Sequence, residues 1–290
     1  MSSYVATALP SMGPQTGAIV IPARYASSRL PAKPLCDLDG KTMLQRVLEV
    51  GLAALVDLPD TMVVLAVDHP EVEAHAQHLR WLQPDAPIAV VMTEADCPSG
   101  TDRCYQALRR LDWRGGPMVN LQGDAPLTDP RLMVQMLQYL RDHPEAGVVT
   151  PVVRLPWDVL DRLRENKKVN PFSGTTAIVG RDGRALWFSK QIIPAIRDED
   201  RSQPWSPVWR HIGAYGYHFA CLERYVTYPP STYEKLEGLE QLRLLENGES
   251  VFVVEASEVS AAGLSGVDTE RDRQAVVAYL RDRASRGEGV

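Results

Sequence analysis

Between Ile21 and Leu35 the sequence reads IPARYASSRLPAKPL, which places three cations, Arg24, Arg29 and Lys33, and two small hydroxyls, Ser27 and Ser28, on one short segment. An arginine offers a planar fork of N–H donors matched to phosphate oxygens, and a lysine offers a compact point charge. Transfer at phosphorus depends mainly on positioning and on neutralising charge, so this composition suits a polyphosphate ligand. The segment contains neither a G-x-x-x-x-G-K-[ST] loop nor a G-x-G-x-x-G fingerprint. By composition alone it reads equally well as an exposed basic loop. A second chemical group is Asp124, which follows Gly123 in NLQGDAPL. A carboxylate there suits Mg²⁺, a hard cation that takes few protein oxygens and shares the rest with phosphate, although a strand-end Asp is more often a turn or helix cap. A third is SGTDR, Ser99 to Arg103, a polar loop opening a helix, whose hydroxyl and backbone groups suit either the edge of a pyrimidine or an N-cap.

The elements that must position these groups alternate in type. Gly17 to Ala23, Thr61 to Val67, Pro87 to Met92, Pro117 to Gln122 and Gly147 to Val153 are short apolar runs expected as buried strands. Thr42 to Leu55, Glu71 to Leu82, Thr101 to Leu111 and Pro130 to Asp142 carry helical spacing and helix-forming residues. This alternation predicts an α/β fold with a mostly parallel sheet and helices on both faces. Ligands of such sheets bind beyond the carboxyl ends of the strands, where Ile21 and Pro22 end the first one. The regular pattern stops near Arg154. DRLRENKK (Asp161 to Lys168) reads as a charged stretch leading into the turn-rich NPFSG, and TTAIV and RALWFS flank the turn at Arg181 to Gly183 as a hairpin. A polar loop over 197–207 precedes HIGAYGYHF, expected as a strand; then come a helix over Tyr233 to Glu246, the strand VFVVEA and a terminal helix from Thr269. Residues 1–16 read as a disordered leader, and 17–290 as one domain with a β-rich insertion over 154–235.

The net charge of −6 argues against a general nucleic-acid or anionic-membrane surface. No stretch approaches the roughly 18 to 20 apolar residues of a membrane span. Cys36, Cys97, Cys104 and Cys221 form no C-x-x-C pair, so neither a disulfide framework nor a zinc site is expected, and a reducing, cytoplasmic compartment is the simpler expectation.

Taken in full order, IPARYASSRLPAKPL closely resembles the N-terminal signature of the 3-deoxy-manno-octulosonate (Kdo) cytidylyltransferases, which make CMP-Kdo for lipopolysaccharide. SGTDR, NLQGDAPL, ALWFSKQIIP (Ala185 to Pro194), RHIGAYGY (Arg210 to Tyr217), LEQLR (Leu239 to Arg243) and GVDTERD (Gly266 to Asp272) follow in the family's order and span nearly the whole chain. Each match is weak alone, and together in register they are specific. The resemblance implies a Rossmann-like, GT-A-like nucleotidyltransferase sheet and transfer of CMP from CTP to a 2-keto-3-deoxy sugar acid. It also implies one or two Mg²⁺ ions and a homodimer formed largely through the β-rich insertion. On this resemblance Arg24, Arg29 and Lys33 are the catalytic cations, and Asp124 and Asp268 hold the metal. Pro22, Ala23, Arg24, Ser28, Lys33, Ser99, Gly100, Thr101, Gln122 and Gly123 bind the nucleotide, and Gln122, His211, Tyr215, Glu240 and Gln241 bind the acceptor. The other five histidines are expected at the surface. Leu236, Leu239, Leu242 and Leu245 form a core stripe at helical spacing that leaves Glu240 and Gln241 free to face a ligand.

Three departures from the family pattern bear on the acceptor. Ala125 stands where the family usually has Glu, and Cys97–Pro98 where it has His–Gln. NPFSGTTAIV replaces a stretch usually like NPNVVKVV, with extra residues and no lysine at that place, although Lys167 and Lys168 lie just upstream. The nearest alternative is therefore the same fold activating another acid: the 8-amino analogue of Kdo, another sugar acid or a small anionic acceptor. A GT-A glycosyltransferase is a more distant one, for which Gln-Gly-Asp-Ala is a poor Asp-x-Asp. A non-catalytic relative is another, and the presence of Arg24, Arg29, Lys33, Asp124 and Asp268 argues against it.

Overall fold

Aliphatic residues run almost without a polar break through Gly17–Ala23 (β1) and Thr61–Val67 (β2), and both strands are buried from end to end. Runs with no solvent face are the pattern of parallel strands covered on both sides. The computed structural model describes residues 16–27, 29–114, 116–257 and 266–287. They group into two compact units: one holds the described residues up to 137 and from 266 onward, the other those from 138 to 257. The α/β class with parallel strands expected from the alternation is the class observed.

In the first unit Ile88–Met92 (β3) and Met118–Asn120 (β4) complete a parallel sheet in the order β3-β2-β1-β4. Parallel neighbours need crossover connections. Met43–Ala54 (α1), Pro70–Trp81 (α2) and Gly100–Arg110 (α3) supply them in turn. Each helix begins where the sequence offers a cap. Thr42 accepts the Gln45 N–H ahead of α1, and Ser99 accepts the Asp102 N–H ahead of α3. Glu270–Ser285 (α9) starts on a reciprocal capping box between Thr269 and Asp272. Two arginines seat α9 on the turn after Cys36: Arg273 donates to the Asp37 carbonyl at 2.8 Å and Arg281 pairs with Asp39 at 2.7 Å. The helix Pro130–Asp142 (α4) leads out of this unit into the second.

The second unit is built on Val148–Pro156 (β5). Val251–Glu255 (β10) lies parallel along one edge of it, and Trp205–His211 (β8) and Tyr215–Tyr217 (β9) lie antiparallel to it. Thr175–Val179 (β6) joins β8 to Ala185–Ser189 (β7), antiparallel to both. Trp157–Val169 (α5) packs Trp157, Leu160 and Leu163 onto Leu155 and Val208. Phe219–Tyr225 (α6), Thr232–Glu237 (α7) and Gln241–Glu246 (α8) complete it.

Several expectations need correcting. The charged stretch at 161–168 belongs to α5, whose buried apolar residues are Trp157 and Leu160 ahead of the stretch and Leu163 within it. The loop expected over 197–207 already contains the start of β8 at Trp205, and HIGAYGYHF is divided between the ends of β8 and β9. The single helix over 233–246 is two, because Gly238 takes a left-handed φ of +64° and ends α7. The leucine stripe breaks there as well: Leu236 is 69 % exposed while Leu239 and Leu242 are buried. The β-rich stretch 154–235 lies wholly in the second unit, which also takes in β5 and β10. The leader expected over 1–16 lies, except for Thr16, outside the described residues. Of the five histidines expected at the surface, only His78 is exposed. His69, His75, His143 and His218 are half-buried, and His75 bonds Thr42 at 2.7 Å.

Candidate active site

At the carboxyl ends of β1 and β4 the first unit opens a cleft of about 720 Å³, an ordinary size for a small-molecule site. Pro22 and Ala23 reach it from the end of β1, Gln122 to Asp124 from the turn after β4, and Ser99 and Gly100 from the start of α3. Gly123 is required by close approach. A β-carbon there would lie 2.1 Å from the Pro22 carbonyl oxygen, so no side chain fits between the two strand ends. Arg24, Arg29 and Lys33 line the same cleft. Lys33 opens a short 3₁₀ turn after Ala32, which is held at a φ of 50°, a left-handed conformation unusual for a residue with a side chain. Ser28 lies outside the described residues.

The cations and carboxylates meet. Lys33 Nζ lies 2.6 Å from Asp124 Oδ2 and 3.0 Å from Asp268 Oδ1, and Arg29 reaches the same Asp268 oxygen at 3.1 Å. Asp268 is held just ahead of α9, where its own N–H donates to Asp272, and Asp124 is held because its carbonyl accepts the Val267 N–H at 2.8 Å. Burial by itself would lower the Lys33 pKa. The charges and hydrogen bonds of Asp124 and Asp268 outweigh it and hold the ammonium above the ordinary lysine range.

Two members of the site carried no signal strong enough to assign them a role. Arg103, the last residue of SGTDR, forms a buried pair with Asp68 at 3.0 Å, with side-chain exposures of 2 % and 3 %. Asp68 also accepts the Tyr25 N–H at 2.8 Å, which ties the cationic loop to α3. The available clue was a carboxylate directly after a buried strand. Thr101, expected at the nucleotide, is instead 1 % exposed, and its hydroxyl accepts the Asn120 amide at 3.2 Å.

The remaining expected residues come together in the second unit. Tyr215 donates to Gln241 Oε1 at 2.8 Å, and Tyr225 donates to Glu240 at 3.4 Å. Gln241 is 1 % exposed rather than facing outward, because α8 begins at this residue and turns it inward; its Nε2 has no hydrogen-bond partner among the described residues. Gln122 belongs to the first unit. His211 lies 2.8 Å from the Thr150 hydroxyl, whose hydrogen is given to the Ala214 carbonyl at 2.7 Å. Thr150 therefore accepts, and His211 Nε2 carries the hydrogen. Burial first, then Lys190 and Arg210, push His211 down from 6.5 to about 3, so the ring is neutral at pH 7. Between those values the unfolded chain holds a proton that the folded chain lacks. Stability should therefore fall by roughly 1.4 kcal/mol per pH unit as pH drops below about 6.5. Urea unfolding at pH 7 and pH 5 should show this loss and His211→Gln should reduce it; an unchanged slope in the variant would exclude this histidine as its source.

Parallel strands ending at a cleft of cations and carboxylates are the architecture of a nucleotide-dependent transferase. The sequence model of a family described as Cytidylyltransferase matches residues 18–251. The chain is 39 % identical to a 3-deoxy-manno-octulosonate cytidylyltransferase of Maricaulis maris, over 81 % of this chain and 86 % of that one. It is also 39 % identical to the Cellvibrio japonicus protein of the same name, over 90 % and 97 %. Among solved structures, a CMP:2-keto-3-deoxy-manno-octonic acid synthetase complexed with CTP superposes with a TM-score of 0.75 at 32 % identity, covering 93 % of this chain and all of that one. A 4-diphosphocytidyl-2C-methyl-D-erythritol synthase from Anaerococcus prevotii, at 13 % identity and a TM-score of 0.55, shares the fold. The chain is a nucleotidyltransferase and belongs to the 3-deoxy-manno-octulosonate cytidylyltransferase family.

Proposed function

We propose that this protein transfers CMP from CTP to Kdo, with Mg²⁺, giving CMP-Kdo and pyrophosphate. The observation that carries this reading is the convergence of Arg29 and Lys33 with Asp124 and Asp268 at the cleft, in a chain similar to a synthetase complexed with CTP. The cations hold the polyphosphate and offset its charge as pyrophosphate leaves, and Ser99 and Gly100 receive the base. His211, Tyr215, Glu240 and Gln241 bind the acceptor; the unpartnered Gln241 N–H and the neutral His211 suit the hydroxyls of a sugar acid.

The donor chemistry fits a hard divalent ion. Two carboxylates already close on one cation, the Lys33 ammonium. No group of three or more metal-ligating side chains occurs among the described residues, so phosphate oxygens and water would complete the shell, as they commonly do for Mg²⁺. Asp124 and Asp268 would hold Mg²⁺, which when bound neutralises phosphate charge and lowers the pKa of a coordinated hydroxyl. In the reaction the acceptor's C2 hydroxyl oxygen bonds to the α-phosphorus of CTP. The bond from that phosphorus to the pyrophosphate oxygen breaks, and the hydroxyl proton passes to water.

A homodimer is supported by large apolar side chains exposed on the second unit, among them Leu186 and Tyr233. The four cysteines are all free, as suits the cytoplasm, and no helix among the described residues is long and apolar enough to cross a membrane. A second reading, another acid as acceptor, rests on Lys167, which α5 brings onto the carbonyl of Gly174 in the stretch that departs from the family. Pyrophosphate release from CTP should be measured with Kdo, 8-amino-Kdo, other 2-keto-3-deoxy acids and small keto acids, with and without EDTA. Kdo should be the best acceptor and EDTA should abolish release. A better acid would overturn the Kdo assignment alone, and no release with any acid would overturn the transferase reading.

A further inference from the structure

The loop between β1 and the 3₁₀ turn at Lys33 sends Arg24, Ala26, Ser27 and Arg29 to the cleft, and both arginines are exposed. An exposed loop with two cations must be ordered before both can meet one polyphosphate, and that ordering weakens binding. Tyr25 turns the other way, onto the end of β2. Its N–H donates to Asp68 at 2.8 Å, and its ring stacks on His69, with centroids 3.7 Å apart and planes 10° from parallel. Both anchors are themselves fixed. The Asp68 side chain is buried and paired with Arg103, near the start of α3. His69 is the N-cap of α2, and its Nδ1 accepts the Glu71 N–H at 3.3 Å, which sets the plane of the ring. Two consecutive residues after β2 thus grip one residue of the loop, the first through its backbone and the second through its ring.

We propose that Tyr25, held by Asp68 and His69, is a positioning residue that keeps the cationic loop in its ligand-ready shape before nucleotide arrives. It acts through its neighbours Arg24 and Arg29 rather than on the ligand. A loop already in the competent shape binds with its full intrinsic affinity, and one that visits that shape part of the time binds in proportion to that fraction. The effect therefore belongs to affinity. Once saturating nucleotide has ordered the cations, the anchor has little left to add to turnover. This inference rests on the proposed reading in which these cations hold the triphosphate of CTP. The two roles of His69 can be separated, because asparagine caps a helix well and offers no ring.

The test uses the full-length protein, with calorimetry for CTP and inorganic pyrophosphate and steady-state kinetics for KM and kcat. Tyr25→Ala should weaken both ligands by roughly 3- to 10-fold, the scale of one aromatic pair, and raise the KM for CTP to match. Its kcat at saturating CTP should stay within about twofold of wild type, because ordering is completed on binding. Tyr25→Phe keeps the ring and should keep wild-type affinity. His69→Asn keeps the cap and loses the ring, so it should match Tyr25→Ala with little change in melting temperature. The double variant should be no weaker than either single one, since both remove the same contact. If Tyr25→Ala binds both ligands as the wild type does, or if the two losses add, the anchor is overturned. If the wild type binds pyrophosphate in a Tyr25-dependent way and does not bind CTP, the anchor stands and the CTP reading falls.

Discussion

Lys33→Ala should lower kcat by on the order of 10³-fold, the scale of losing one transition-state cation in phosphoryl transfer. The side chain is 14 % exposed and its ammonium sits between two carboxylates, so in the proposed function solvent can replace little of the charge it would offer a phosphate. The same variant should bind a divalent ion more tightly when no nucleotide is present. In the free protein Lys33 occupies the space between Asp124 and Asp268, and any metal bound by both must displace it. With CTP bound, the ammonium has phosphate oxygens to turn to, so metal and nucleotide should enter together. Single-turnover kinetics would read the first effect, and Mn²⁺ titration followed by electron paramagnetic resonance the second. A near-normal kcat would remove Lys33 from the catalytic group. An unchanged Mn²⁺ affinity would show that it does not occupy the metal's place.

Arg103→Met should destabilise the protein by about 3–5 kcal/mol, the usual cost of breaking a buried pair from one side. The loss has two parts. Asp68 keeps a charge in a position 3 % exposed, and the bonds from Arg103 to Thr93 and to the Glu94 carbonyl disappear. Asp68→Asn added to Arg103→Met should recover a large part of the stability, because the stranded charge goes while the amide oxygen still accepts from Tyr25. Urea denaturation of the two variants measures both terms. A loss below 1 kcal/mol in the single variant would mean that water reaches Asp68 and screens it.

What could be read from residues alone divides along physical lines. The strands of the first unit were legible because parallel, doubly covered strands are written as unbroken aliphatic runs: Gly17–Ala23 and Thr61–Val67 have the expected bounds. Helix α5 was not, because seven of the eight residues of DRLRENKK are polar or charged, hiding the helical spacing of its three buried residues, Trp157, Leu160 and Leu163. The break at Gly238 was missed for a related reason, since leucine spacing continues across a turn that a left-handed glycine interrupts. In the site, residue types were legible and partnerships were not. Lys33 and Asp268 are 235 positions apart, and no local pattern says that one ammonium will join a carboxylate after β4 to one just ahead of α9. Thr101 looked like a ligand-facing hydroxyl because SGTDR opens a helix, but the helix turns that side chain toward Asn120. The buried, unpartnered Nε of Arg210 is likewise invisible until burial and partners are known.

The pairing of Asp124 with Asp268 across Lys33 also has a meaning in time. The two carboxylates are separated by 144 positions (268 − 124). At roughly 5–20 residues per second, about 7 to 30 s of synthesis pass between the first and the second. During that interval the emerging chain holds the cationic loop, the β4 turn and one carboxylate. Under the proposed function it would still lack the second carboxylate needed to hold a metal from both sides. Catalytic competence, under that function, waits until Asp268 has been made and α9 has docked.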